Sequence, residues 1–121
     1  MRGDRGAIVA VATAVLSLAA CGGTEHLEGT SCPPGGTDLT YESFGQPFLD
    51  DHCQRCHAEN AGNRNGAPAI YVFDTRDDVI EWQRRIFARA AASNTSMPPG
   101  PDGPGSGERE LLAEWLACGA P

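Results

Sequence analysis

The chain has 121 residues, room for one domain and too few for two of ordinary size. Its formal charge is −7, with nine basic residues, all arginine, against sixteen acids. An acidic body of this kind argues against nucleic-acid binding and against charge-driven adhesion to anionic lipid.

Arg2 and Arg5 precede an uncharged apolar run from Ala7 to Ala20. At ~14 residues the run is shorter than the ~20 that span a bilayer, and its basic front end makes it a secretory signal. A buried helix apolar on every face would need a larger protein around it. The run ends in Leu18-Ala19-Ala20-Cys21. Leucine three residues before a cysteine resembles the lipobox of bacterial lipoproteins, which implies cleavage ahead of Cys21 and a lipid on its sulfur. An ordinary cleaved signal with an incidental cysteine is the alternative. Removal of residues 1–20 takes Arg2, Asp4 and Arg5 away, leaving seven arginines and fifteen acids. The protein is then exported, on the periplasmic side of a membrane or the cell surface. Gly22 does not resemble the aspartate that retains some lipoproteins in the inner membrane, so the outer membrane is preferred.

The next segment, residues 21–36, holds Gly, Thr, Ser, Glu and a Pro33-Pro34 pair, and reads as a flexible tether. The domain is expected over residues 37–121, small enough to need a cofactor, metal or disulfide. A first helix lies somewhere in Thr40 to Cys56, where Tyr41, Phe44, Phe48 and Leu49 share one face. Ser43 with Gln46 would cap a late start. A second helix opens at Thr75, with Asp77 and Asp78 in its first turn and Val79, Trp82, Ile86 and Ala90 along one side. A third runs from Ser106 or Gly107 to Ala117, with Leu111, Leu112, Trp115 and Leu116 as its stripe and Gly119 as its stop. Residues 69–73 are a possible extended piece, but no second strand exists to pair with it. The fold class is all-α, about three helices joined by long loops at 58–74 and 93–105. Loops of such length in a small domain are unusual unless they wrap something.

The cysteines divide by position. Cys53-Gln54-Arg55-Cys56-His57 is the C-x-x-C-H haem attachment motif. Cysteines three apart fall on one side of a helical turn, where both sulfurs reach the two vinyl groups of one haem edge, and the adjacent histidine projects toward the iron. The rivals are a redox disulfide, which wants a βαβ setting, and a zinc site, for which Cys32 and Cys118 are the only further thiols once Cys21 is lipidated. Export and covalent haem attachment predict each other, because attachment takes place after export. Cys32 and Cys118 flank the domain; since exported proteins seldom keep free thiols, a bridge closing a loop of about 86 residues is expected.

Met97, in Ser96-Met97-Pro98-Pro99, is the candidate sixth ligand. A thioether opposite His57 raises the potential and leaves no open position. His26 sits on the tether, and His52 adjoins Cys53 on the same segment, so both are weaker candidates. A core-filling methionine is the plain alternative, against which the proline pair argues.

With Cys53, Cys56 and His57 near the start, Met97 before prolines and a final aromatic-leucine helix, the chain resembles the class I cytochrome c family, in its small exported lipid-anchored form. The resemblance spans about Thr40 to Gly119. It implies one covalently bound haem c, wrapped by a cytochrome c-like fold, and electron transfer between redox protein partners by a monomer held to the membrane through its lipid. It further implies that the Pro68 carbonyl, in Gly66-Ala67-Pro68, accepts the His57 imidazole N–H, and that Gly45 or Phe48 meets Leu112 and Trp115 where first and last helices cross. The lysines common around the haem edge of this family are missing here. The alternative functions are a peroxidase-like or gas-binding haem protein with an open sixth position, and a zinc- or thiol-based structural module.

Overall fold

The computed structural model describes Leu27 and residues 29–121. The signal segment, Cys21 and His26 lie outside the described residues. Within them the chain is helical: a π-helical turn at Tyr41–Gly45, then α1 (Gln46–His52), α2 (Gln54–His57), α3 (Arg76–Ala90) and α4 (Ser106–Ala117). Among the described residues no strand forms, and residues 69–73 pair with nothing; an isolated bridge joins Leu27 and Thr30. No helix there is long and apolar enough to cross a membrane.

Each helix starts for a local reason. The first turn is capped by Thr40, whose hydroxyl accepts the Ser43 N–H while Ser43 returns the bond to the Thr40 N–H. Sequence periodicity places this box at Ser43 and Gln46; the structure moves it three residues earlier, because the wide π turn takes up Gly45 and lets Pro47 occupy the first turn of α1. Thr75 and Asp78 form the equivalent box on α3, with Asp77 beside them at the positive end of the helix. At α4 the Gly105 N–H is taken by Glu108.

The core is built where the helices meet. Phe48, Leu49, Val79, Ile86, Phe87, Leu112, Trp115 and Leu116 are all buried, and α3 packs on α4. Gly45 lies against the Trp115 ring, so closely that a Cβ on residue 45 would fall inside the indole. Tyr41 and Phe44 complete an aromatic cluster around that ring, at 6.4 and 5.9 Å between centroids. Both expected stripes hold at three of their four positions and depart at one. Leu111 is exposed and Arg109 takes a place on the buried face of α4, whereas Phe87 is buried in α3 and Trp82 only partly so.

Cys32 and Cys118 are bonded, across a sequence separation of 86. Around that bridge the C-terminus is stitched to the start of the domain. The Pro121 carbonyl accepts both the Tyr41 N–H and the Trp115 indole N–H, and Arg76 donates to the Ala120 carbonyl. Leu27 is buried with the core. The segment read as a free tether is therefore held to the domain from Leu27 on, by that side chain, the apolar exception in the segment, and by Cys32.

Candidate functional site

A break between α1 and α2 sets up the motif. Cys53 caps both helices: its N–H donates to the Leu49 carbonyl at the end of one ladder, and its own carbonyl starts the next. The Cys56 and His57 N–H groups both turn back to the Cys53 carbonyl, which gathers the two cysteines and the histidine on a single short turn. Neither thiol is bonded to another cysteine.

His57 is oriented by the loop that follows. Its Nδ1 stands 2.8 Å from the Tyr71 carbonyl oxygen. A carbonyl only accepts, so Nδ1 carries the hydrogen and Nε2 keeps its lone pair for a ligand bond. The imidazole also stacks on Phe73, with centroids 4.5 Å apart, and its own carbonyl accepts the Phe73 N–H. The expected acceptor for this ring was Pro68. Its carbonyl is instead spent on the Tyr71 N–H, closing a turn that carries the chain round to present the Tyr71 oxygen. Pro68 lines the cleft without touching His57 through a hydrogen bond.

Tyr71 and Phe73 are therefore the orienting residues that sequence reasoning missed. Their signal was present: two aromatics spaced by two, in the most apolar stretch of a polar loop. Tyr71 is pinned in turn by Trp82 at 4.8 Å, edge to face, and by the Arg85 guanidinium 4.5 Å above its ring.

These pieces border one cleft. Cys53, Cys56 and His57 line it from α1 and α2, Pro68, Tyr71 and Phe73 from the first long loop, Ile86, Arg89 and Ala90 from α3, and Met97 with Pro98 and Pro99 from the second loop. The structure thus brings the four candidate haem-binding residues of the motif and the second loop to a single site. His52 also borders it, from the segment that carries Cys53, tilted against the Phe48 ring and 3.4 Å from Glu108. Met97 is half-buried, packed on the core and tied by its backbone at both ends: its N–H donates to the Arg89 carbonyl and its carbonyl accepts from Arg109.

No family model, curated protein or solved structure matches this chain. The chemistry of the cleft is therefore read from its own residues.

Burial pushes the Cys53 thiol up to about 12, against a downward pull from the Arg109 charge, with the Cys56 thiol adding to the rise. A thiol so held is neutral at physiological pH, the reverse of the lowered thiolate that dithiol redox motifs use. The two other thiols a four-cysteine zinc site would need are joined in the Cys32–Cys118 bridge. Among the described residues no group of three or more His, Cys, Asp and Glu stands together as a metal site.

A haem fits the donors present: two thiols for its edge, one imidazole nitrogen and one thioether for its iron, and Phe48, Ile86 and Ala90 for its ring. One further group fits its carboxylates. Arg64, on the cleft wall, donates through Nη2 to the Ala58 and Glu59 carbonyls, but its Nη1 is buried with no partner. An unpaired guanidinium donor in such a place suits a bound anion.

Proposed function

We propose that this protein is a mono-haem c-type cytochrome with a cytochrome c-like fold, lipid-anchored through Cys21, that carries single electrons outside the cytoplasm. One observation carries the reading: Cys53, Cys56, His57 and Met97, drawn from segments up to 44 positions apart in sequence, border the same cleft. Cys53 and Cys56 would hold the haem edge, each adding its S–H across a vinyl double bond with no change in oxidation state. When bound, the haem supplies a one-electron Fe(III)/Fe(II) couple. His57 is held in the tautomer that offers Nε2, and its hydrogen bond to a carbonyl strengthens the nitrogen as a donor. Met97 would offer a thioether to the iron, a soft donor that favours the reduced state. The cleft's lining of Phe48, Ile86, Ala90 and the prolines would limit water around a bound haem.

The acidic body and lipid would leave the domain free to meet redox partners, donor and acceptor, at a membrane surface. The test is the mature protein itself. Its mass should exceed that of residues 21–121 by one haem and the lipid, and its haem stain should survive boiling in detergent. A correctly processed sample that is colourless, or that loses its pigment to acid acetone, refutes the proposal.

A further inference from the structure

Among the described residues, one charged side chain is buried, Arg109, with 6% of its surface exposed. It sits on the apolar stripe of α4, one turn before Leu112, where a hydrophobic residue would pack without desolvation cost. Its guanidinium faces the second loop. Nη1 donates to the carbonyls of Ala90 at 2.7 Å, Asn94 at 3.0 Å and Met97 at 2.9 Å, and Nε to that of Pro104 at 3.1 Å. The Arg109 backbone carbonyl accepts the N–H of Ala92, a residue in the left-handed region at φ 53° that begins the loop. Gly103 passes so close to Nη2 that a Cβ there would stand 2.9 Å from it. Residues 91–105 have no helix or strand of their own to hold them. Four of their carbonyls and flanking carbonyls converge on one cation instead.

We propose that Arg109 is the positioning residue for the Met97 thioether, and that its buried charge raises the reduction potential of the bound haem. This rests on the reading of the cleft as a haem site. The guanidinium does not touch the cleft. It acts by fixing the carbonyl of Met97 and the ends of its loop, which limits where the sulfur can swing. A positive charge out of water beside the loop that lines the cleft would favour, in a haem bound there, the state with one more electron.

The experiment compares the full-length, haem-loaded protein with Arg109→Lys, Arg109→Gln and Gly103→Ala. Lysine keeps the charge but offers a point donor in place of a planar fork. Gly103→Ala keeps Arg109 and crowds it. The weak methionine-to-iron band of the oxidised protein should be lost at lower pH in all three. Carbon monoxide affinity of the reduced protein should rise about tenfold, the equivalent of about 1.4 kcal/mol of lost restraint. Arg109→Gln should also lower the reduction potential more than Arg109→Lys does. If Arg109→Gln does not fold, Arg109→Lys and Gly103→Ala decide the positioning claim, and a fall in the Arg109→Lys potential as rising pH removes the lysine's proton decides the charge. Folded variants with the wild-type band, carbon monoxide affinity and potential overturn the inference. A wild-type protein without haem overturns the cytochrome reading instead, so the two failures are distinct.

Discussion

His57 shows how little a single side chain decides alone. Its usefulness as a donor follows from the Tyr71 carbonyl and the Phe73 ring, neither of which the motif contains. On the proposed reading Met97 is the other half of that arrangement, and Met97→Ala should keep a covalent haem while opening the sixth position. Carbon monoxide should then bind the reduced protein without denaturant, and the methionine-to-iron band should vanish; a band unchanged in the variant would assign the ligand elsewhere. Glu108 provides a residue-scale test of pH dependence. Its carboxyl is held below the ordinary range by the Gly105 N–H first and by His52 second. A depressed carboxyl stabilises the fold above the unfolded value of about 4.3, and that contribution disappears as pH falls through the lower folded value. Glu108→Gln should therefore lower the denaturant midpoint at neutral pH and converge with wild type in acid. Equal offsets at both pH values would disprove the linkage.

At the scale of the elements, α3 was readable from end to end. Thr75, Asp78 and the acids of its first turn announce the start, and the structure begins α3 at Arg76. Thr75→Ala should cost about 1 kcal/mol in chemical denaturation, since it removes the hydroxyl that accepts the Asp78 N–H while the backbone N–H of residue 75 still donates to the Asp78 carboxylate. The final helix was equally plain in its bounds but not in its buried face. Arg109 falls in the i, i+3, i+7 pattern with Leu112 and Leu116, and periodicity alone cannot tell a charge paired indoors from one pointing outward. The first helix was the least legible. Its period is interrupted by the π turn, which depends on Gly45 meeting Trp115, a contact 70 residues away in sequence. Gly45→Ala should thus destabilise the fold by about 3 kcal/mol through overpacking, far beyond an ordinary helical Gly-to-Ala change. A gain in stability would mean that the two helices can separate without penalty.

For the molecule as a whole, the members of the site were legible but their support was not. C-x-x-C-H and the lone internal methionine point to chemistry through residue type and spacing. The Tyr71 oxygen, the Arg64 donor and the Arg109 hub exist only once the long loops have a shape. The flanking cysteines were legible by elimination, and their bond is present. Replacing both by alanine should lower stability by up to about 4 kcal/mol while haem content stays unchanged, as measured by denaturation and by the absorbance of the pigment. Loss of pigment in the folded double variant would show that the bridge shapes the cleft as well.

That bond makes a closed ring of everything between residues 32 and 118, and both loops of the cleft lie on its circumference. Fraying at either terminus stops at the sulfur–sulfur rivet. On the proposed reading, a protease that clips the chain ahead of Leu27 would release the ring from the lipid as an intact, pigmented, freely diffusing carrier, changing where electrons are delivered without altering how they are held.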